Sequence, residues 1–414
     1  FFLIFSLFLL INTIYKSEFF WNGDRRNYYF IYYAISFVLI FFSFLSFFIN
    51  YKLKIYSFII LLSILFSLLL SELYLTLKET YTNNTLKTKL DLFNEMKKYD
   101  ENITVMVQPY NFLNQIKIDL FPLSGIANSK TILCNESGEF SIYKSDRFGF
   151  NNPDSEWDND QIEFLIVGDS FAHGACVNRP NDIASVLRNL SKYPVLNLGY
   201  SGNGALIEYA ILREFLPKKT KNIIWLYFEG NDIYDTEQEL KNETLINYIK
   251  NDRFSQKLKS NQIIVDKLAR QLLKKEKKLK TTEAKNSIIS FFKIRHVRQL
   301  IYDNYKFLPQ PQPAPSTEFK KILELAKKLA DNNNSKFYFV YLPEYKRYKK
   351  NINQDNYNNI KKIISELNIH MIDIHLKVFD KEKDPLSLFY FENSHYNIPG
   401  YRKVAETIFY ETNE

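Results

Sequence analysis

Two long uncharged stretches near the N-terminus place the strongest constraint on how this chain folds. Residues 27–51 carry no charged side chain over 25 positions, and residues 55–71 carry none over 17. A helix needs about 20 predominantly apolar residues to cross the hydrocarbon core of a bilayer. Residues 1–15 are also uncharged, and because the chain opens on Phe rather than Met, we interpret them as the end of a longer span. The sequence therefore predicts three transmembrane helices within residues 1–77, the first of them truncated.

The charged residues around these stretches bear on their interpretation and orientation. A cleaved signal peptide followed by a buried helix pair is the alternative, but two long runs joined by Lys52-Leu53-Lys54 do not match a signal sequence. A count of Lys and Arg beside the spans would place the large C-terminal part in the cytoplasm, but the truncated first span leaves the opposite side undercounted. Orientation therefore stays open on charge alone.

Overall composition excludes several classes of protein. Lys and Arg number 54 and Asp and Glu 46, which gives a net charge of +8 with only 24% of residues charged. This is too little charge for a disordered polyampholyte. Two Cys, 11 Gly and 13 Pro exclude collagen-like chains, Cys-rich miniproteins and multi-Cys zinc modules. Basic charge does not by itself identify a partner, and we predict no nucleic-acid partner.

After residue 77 the apolar runs shorten to strand length and alternate with helix-period segments. That alternation is typical of a parallel sheet with crossover helices. The sequence predicts an α/β fold, a flavodoxin-like three-layer sandwich with a parallel five-stranded sheet. The five predicted strands are Glu163–Val167, Pro194–Leu198, Asn222–Phe228, Lys336–Leu342 and Ile369–Ile374.

Two segments interrupt this alternation. Residues 78–160 are polar with short β-like runs, and we interpret them as a stalk and lead-in to a domain at 161–414. Residues at about 233–315 form a helical, Lys-rich insertion that ends in a proline-rich linker. Its lysine run has two interpretations, a solvated helix face or a contact with an anionic glycan or lipid headgroup.

Ser, Gly and Asn residues follow the ends of the first three predicted strands, at Ser170, Gly202 and Asn231. Parallel strands bring their carboxyl ends to one edge of the sheet, where α/β proteins bind ligands. A serine there can act as a nucleophile, while its own backbone N–H, a backbone N–H at Gly202 and the Asn231 amide supply three donors for an oxyanion. The local sequence Gly168-Asp169-Ser170 is weak evidence alone, because most serines after strands cap helices.

A histidine and an acid lie three residues apart near the C-terminus, in Glu392-Asn393-Ser394-His395. His395 could serve as a general base, and Glu392 could orient it from the same loop. His173, three residues after Ser170, could line the site or be a structural histidine. The other histidines have no acid or Cys partner at metal-ligand spacing. We therefore predict no metal and no other cofactor.

The sequence segments around these Ser, Gly, Asn and His residues resemble the four sequence blocks of the SGNH hydrolases, the GDSL-type esterase family. The family is named for a Ser, a Gly, an Asn and a His, which match Ser170, Gly202, Asn231 and His395. Its pattern has Asp three residues before the His, where this chain has Glu392. The resemblance runs from about Gly168 to the C-terminus, apart from the insertion. Together with Cys134-Asn135-Glu136 and residues 146–152, the chain is similar to membrane-anchored SGNH proteins associated with bacterial surface polysaccharides.

The resemblance implies a serine esterase or acyltransferase that acts on O-acyl groups, O-acetyl above all, of an envelope carbohydrate. The implied partners are a carbohydrate or acyl-ester substrate, membrane lipid and other membrane proteins of a polysaccharide pathway. Two alternatives stay open. One is a lipid or acyl-ester hydrolase whose acyl groove is formed by the insertion, and the other is a catalytically silent scaffold of a polysaccharide-assembly complex, which Glu392 in place of Asp allows.

Cys134 and Cys176 flank the predicted site, since Cys176 lies six residues after Ser170. We expect them to form a disulfide, with two unpaired buried thiols as the alternative. Disulfides persist in oxidising compartments. We therefore predict a multi-pass protein of the cytoplasmic (inner) membrane whose large C-terminal part is extracytoplasmic.

Overall fold

The chain forms two compact units. The computed structural model describes residues 2–21, 23, 26–85, 88–113, 120–285, 291, 293–304, 313–349 and 355–413. One unit comprises Phe1–Thr82 with Asn286–Lys306, and the other comprises Asn83–Lys285 with Phe307–Glu414. The predicted insertion at 233–315 therefore contributes to both units.

The first unit contains the apolar helices. They are Phe2–Ile14, which continues as a π-helix over Tyr15–Phe20, then Arg26–Leu45 and Tyr51–Thr85. Among the described residues, three stretches are long and apolar enough to cross a membrane: Leu3–Phe20, Tyr28–Phe48 and Tyr51–Lys78. The prediction of three helices of membrane-spanning length is confirmed.

One acid interrupts the third apolar stretch, and it caps a helix of the insertion. Glu72 is buried, and its Oε1 accepts the backbone N–H of His296 at 3.0 Å while its Oε2 accepts that of Val297 at 2.9 Å. The same Oε1 lies 2.7 Å from His296 Nδ1. These residues begin the helix Arg295–Asn304, whose first-turn N–H groups have no partner within the helix. A carboxylate there satisfies those donors and complements the helix dipole.

The second unit is built on a five-stranded sheet. Its strands are β4 (Ile162–Gly168), β5 (Val195–Asn197), β6 (Thr220–Phe228), β7 (Lys336–Leu342) and β8 (His370–Asp373), all parallel to their neighbours in the order β5-β4-β6-β7-β8. Numbered along the chain this is 2-1-3-4-5, the flavodoxin-like order. The predicted fold class is confirmed, and each predicted strand lies within two residues of an observed one.

Helices cover both faces of this sheet because its strands are apolar on both sides. Along β6, for example, Ile223 and Trp225 face one buried cluster while Ile224 and Leu226 face the other. The first cluster is closed by Ala205–Phe215, Thr317–Asn332 and Asp355–Glu366, and the second by Ile183–Ser191 and Ile398–Asn413. Short helices at Ser170–His173 and Ile374–Lys377 follow β4 and β8.

The lead-in folds as part of this unit. Its strands β1 (Ile103–Val105), β2 (Lys130–Ile132) and β3 (Ile142–Lys144) form a small sheet in which β1 and β2 are parallel and β2 and β3 antiparallel. Phe121 and Phe150 are fully buried in the same cluster as the large sheet. The predicted boundary at 160/161 is therefore wrong, because lead-in residues such as Phe121 and Phe150 supply core to the domain they were expected only to precede.

The described part of the insertion is mostly helical, as the sequence predicts. They are Asp232–Glu239, Glu243–Lys250, Gln262–Lys285 and Arg295–Asn304. In the lysine run, Lys274 and Lys275 are exposed, as expected for a solvated face. The side chains of 276–280 and residues 309–312 of the proline-rich linker at 309–315 lie outside the described residues. A helix spans Lys89–Met96 in the lead-in, where Thr88 and Asp91 form a capping box.

Candidate active site

Ser170 lies at the carboxyl end of β4. The strand ends at Gly168, and Asp169 then caps the short helix Ser170–His173 by accepting the backbone N–H of Phe171 at 2.9 Å. In the 2-1-3-4-5 order, the chain leaves β4 toward β5 on one side and reaches β6 on the other. This reversal of strand order opens the crevice in which such sheets bind ligands. Ser170 is half-buried at that point.

The loop before the last helix brings His395 to Ser170. Ser170 Oγ lies 2.8 Å from His395 Nε2 and 3.2 Å from Asp169 Oδ2. The loop is closed by Ser394 Oγ, which accepts the backbone N–H of Phe391 at 2.8 Å, and the Phe171 ring packs on the imidazole with centroids 4.9 Å apart. A hydroxyl has one proton to donate, and the shorter contact directs it to His395. This is the geometry of a nucleophile with its general base.

The acid beside His395 is Glu136. Its Oε1 lies 2.9 Å from His395 Nδ1, and its Oε2 accepts the backbone N–H of His395 at 2.8 Å. Glu136 comes from the loop between β2 and β3, 259 positions before the histidine. With one carboxylate oxygen on the ring and the other on the main chain, Glu136 fixes both the tautomer and the orientation of the imidazole. Ser170, His395 and Glu136 thus form a continuous hydrogen-bonded chain.

The prediction that Glu392 orients His395 is wrong in this structure. The Glu392 carboxylate pairs with Lys349 Nζ at 2.6 Å, and its side chain is 52% exposed. Between Glu392 and His395 the chain passes through Asn393 in the left-handed conformation, with φ of 60°. The acid three residues before the histidine therefore faces a surface lysine, while the imidazole contacts the lead-in. The sequence does contain a signal for Glu136, in Cys134-Asn135-Glu136. Glu136 lies two residues after Cys134, which is expected to form a disulfide with Cys176 on the segment after Ser170.

The electrostatics of the pair favour a charged carboxylate. Burial by itself raises the pKa of Glu136, but the hydrogen bonds and charge of His395 outweigh it, so this pKa lies below its ordinary value. The carboxylate is therefore ionised at neutral pH. It can stabilise an imidazolium formed when His395 takes the Ser170 proton.

Gly202 and Asn231 follow the strands on either side of β4. The backbone N–H of Tyr200 donates to Gly168 O at 3.0 Å, which carries the β5 segment alongside the end of β4. Gly202 then turns with φ of 80°, where a Cβ would lie 2.8 Å from Gln108 Nε2. The left-handed backbone favours glycine at this position. The three residues predicted to donate to an oxyanion thus occupy adjacent ends of β5, β4 and β6.

A buried carboxyl group holds the Asn231 amide. Asn231 Nδ2 donates to Asp235 Oδ2 at 2.6 Å, and because an amide nitrogen carries two hydrogens, a second remains for a ligand. Burial raises the pKa of Asp235 to about 7, although the bond from Asn231 opposes the rise. Nearby, Glu239 accepts the backbone N–H groups of Leu206 and Ile207 at 3.0 and 3.1 Å. The acids after β6 therefore cap helices and orient Asn231.

His173 belongs to the core. It is fully buried, with Nδ1 3.0 Å from Ser201 Oγ and Nε2 2.9 Å from the Tyr143 hydroxyl. Burial, assisted by the charge of His395, lowers the pKa of His173 to about 3. A neutral histidine with both ring nitrogens occupied joins β3 to the turn after β5. Of the two interpretations of this residue, the structural one fits.

Cys134 and Cys176 are joined by a disulfide, with Cα atoms 5.1 Å apart. Cys176 Sγ lies 3.8 Å from His395 Nδ1. The two sulfurs and a His395 ring nitrogen lie within 4.8 Å of one another, a spacing that could hold a metal ion. Metal ligation by Cys requires a thiolate, so the disulfide removes two of the three ligands.

Comparisons with known proteins give structural matches alone. No protein-family model matches the sequence, and no curated protein matches it. A solved structure assigned to the G-D-S-L lipolytic family from Desulfitobacterium hafniense is 17% identical, covering 60% of this chain and 99% of that one, with a TM-score of 0.34. The acetyl xylan esterase AlAXEase is 13% identical over 60% and 99%, with a TM-score of 0.31. LAE5, an alpha/beta hydrolase from the metagenome of Lake Arreo, Spain, is 10% identical over 61% and 95%, with a TM-score of 0.36. Matches this weak establish neither family nor substrate, and the chemistry of this chain has to follow from its own residues.

Proposed function

We propose that this chain is a membrane-anchored serine hydrolase of the SGNH type, which removes or transfers O-acyl groups, O-acetyl above all, on an envelope carbohydrate. The observation that carries the proposal is the hydrogen-bonded chain from Ser170 through His395 to Glu136 at the carboxyl edge of the parallel sheet. A nucleophile, a base and an orienting acid in this order are what acyl transfer through a covalent intermediate requires.

The steps follow from the positions of the atoms. Ser170 Oγ attacks the acyl carbonyl carbon while its proton passes to His395 Nε2, and Glu136 stabilises the resulting imidazolium. The oxyanion receives hydrogen bonds from the Ser170 and Gly202 backbones and from Asn231 Nδ2. When the tetrahedral intermediate collapses, the bond to the alcohol oxygen breaks, and that oxygen takes the proton from His395. Water or an acceptor hydroxyl then attacks the acyl carbon of the acyl-enzyme while its proton passes to His395 Nε2. The bond from the acyl carbon to Ser170 Oγ breaks, and Ser170 Oγ takes that proton back, which releases the acid or the new ester and restores the enzyme.

The scaffold alternative loses its main support. That alternative depended on Glu392 standing where a catalytic acid was expected, whereas Glu136 supplies the acid from elsewhere in the chain. The carbohydrate and acetyl assignments draw on the sequence resemblance and on the three apolar helices, since an anchor would confine the enzyme to substrates close to the membrane.

Ester turnover by the full-length protein in detergent or nanodiscs tests the proposal. We expect hydrolysis of p-nitrophenyl acetate by the wild-type protein and background rates for Ser170→Ala. A series of p-nitrophenyl esters from acetate to palmitate separates an acetyl site from a lipid esterase, and acetate release from O-acetylated polysaccharide tests the carbohydrate assignment. Equal turnover by wild type and Ser170→Ala would refute the hydrolase proposal.

We also infer that the second unit lies outside the cytoplasmic membrane. The disulfide supports this, because thiols stay reduced in the cytoplasm. Protease added to intact spheroplasts should digest the second unit, with a cytoplasmic protein as the control for lysis. Protection of this unit in intact spheroplasts, together with digestion after lysis, would place it in the cytoplasm instead.

A further inference from the structure

The loop that carries Glu136 is an exposed connection held mainly at its base. It joins β2 to β3, and Asn135, Ser137 and Gly138 within it are exposed. The backbone N–H of Ser141 donates to Cys134 O at 2.8 Å, which closes the base of the loop on itself. Beyond that base, the contacts that tie the loop to the rest of the second unit include the Cys134–Cys176 disulfide, the bond from Ile142 N–H to Asn178 Oδ1 and the bonds between Glu136 and His395.

The other end of the disulfide touches both catalytic segments. Cys176 lies on the segment that follows Ser170, and its backbone has φ of 64°, a conformation unusual for a residue with a Cβ. Its carbonyl accepts the Tyr390 hydroxyl at 3.2 Å, and its sulfur lies 3.8 Å from His395 Nδ1. Since Glu136 follows Cys134 by two residues, the disulfide joins the chain segment of the acid to those of the nucleophile and the base.

We propose that the Cys134–Cys176 disulfide is a positioning element of the triad, which holds Glu136 against His395 so that turnover depends on the oxidised bond. The inference rests on the hydrolase function proposed above. A dithiol such as dithiothreitol would supply two electrons and two protons, converting the disulfide to two thiols and itself becoming a cyclic disulfide. An exposed loop freed in this way would sample positions in which the carboxylate no longer reaches the ring. Misplacement by about 1 Å of a group that orients a catalytic residue can cost about 10²-fold in rate.

A double-mutant cycle tests whether the bond acts through Glu136. The four proteins are the wild type, Glu136→Gln, the pair Cys134→Ser with Cys176→Ser, and the combination of all three changes. We expect the paired serine variant to lose at least about tenfold in kcat with KM within about twofold. In the Glu136→Gln background the same change should alter kcat by less than about twofold, because contacting groups are not additive. An equal loss in both backgrounds would mean a general effect on the fold and would overturn the proposal.

A second measurement reports on the loop without relying on activity. The backbone N–H of His395 donates to Glu136, so its hydrogen exchange reports whether the carboxylate is in place. We expect faster exchange in peptides containing His395 after reduction with dithiothreitol and EDTA, with the chelator preventing metal binding by the freed thiols. Reoxidation should restore slow exchange and activity, which excludes irreversible unfolding. Unchanged exchange and unchanged kcat in the reduced protein would overturn the proposal that the disulfide holds Glu136 against His395. Equal turnover by oxidised wild type and Ser170→Ala would instead overturn the hydrolase function. The exchange experiment would still show whether the disulfide holds Glu136 against His395.

Discussion

Replacing Glu136 with Gln removes the negative charge beside His395 and leaves a side chain of nearly the same size. In the wild type, the carboxylate contacts the ring at Nδ1 and the main chain at the His395 N–H. A carboxamide can still accept one of these bonds, but it carries no charge, and its NH₂ can turn toward Nδ1 and favour the wrong tautomer. The variant should therefore fold and bind substrate while losing catalysis.

The expected loss of kcat follows from how far the His395–Glu136 pair is exposed to solvent. The side chains of His395 and Glu136 are 22% and 19% exposed, so neither extreme of dielectric applies. Two unit charges about 4 Å apart at an effective dielectric constant of about 20 interact by about 4 kcal/mol. This energy is available only when the imidazole is charged, in the transition state, and about 4 kcal/mol corresponds to about 10³-fold in kcat.

Steady-state hydrolysis of p-nitrophenyl acetate measures this loss, and the chain offers a matched control. Glu392→Gln makes the same chemical change at an acid that pairs with Lys349 at the surface, and it should stay within about threefold of the wild type. Glu136→Asp keeps the charge but is one methylene shorter, so it should retain more activity than Glu136→Gln. If Glu136→Gln remained within about threefold of wild type, or Glu392→Gln lost as much, the assignment of Glu136 would be wrong.

Three further outcomes are expected. Ser170 should react covalently with a fluorophosphonate probe and His395→Ala should abolish the labelling, whereas labelling that persists in Ser170→Ala would mean a different nucleophile. Asn231→Ala should lower kcat by about 10²- to 10³-fold with little change in KM, since an oxyanion donor acts on the transition state, and a rise in KM alone would make Asn231 a substrate-binding residue. Burial raises the pKa of Asp235 to about 7 and that of Glu239 to about 8, so the folded state keeps protons that the unfolded state loses above about pH 4. The two protonated carboxyl groups therefore contribute their full stability below about pH 4, and this stability is lost as the pH rises toward 7 and 8. The Tm of the wild type should fall between about pH 5 and 8. An equal fall in Glu239→Gln would show that Glu239 is not responsible.

The sequence allows the prediction of site residues that directly follow a strand, but not of a residue that reaches the site from a distant loop. Ser170 and Asn231 could be assigned to one edge of the sheet because each follows an apolar run of strand length, and parallel strands end together. His395 does not directly follow a strand, and its pairing with Ser170 was expected from the resemblance to the SGNH pattern instead. The acid could not be assigned in this way, because Glu136 reaches His395 through a small sheet whose three-residue strands carry little periodic signal. Proximity along the chain favoured Glu392 instead, and the left-handed backbone at Asn393 is not evident from sequence.

The small sheet also determines where a fragment of the protein can begin and still contain the whole site. A fragment beginning at residue 161 would keep every strand of the large sheet together with Ser170 and His395, but it would lack the acid and leave Cys176 without its partner. It would also expose the core surface that Phe121 and Phe150 cover, which favours aggregation. A fragment suited to expression should instead begin before the helix Lys89–Met96, so that the whole lead-in is retained. It should also omit residues Asn286–Lys306, which belong to the first unit and take their helix cap from Glu72.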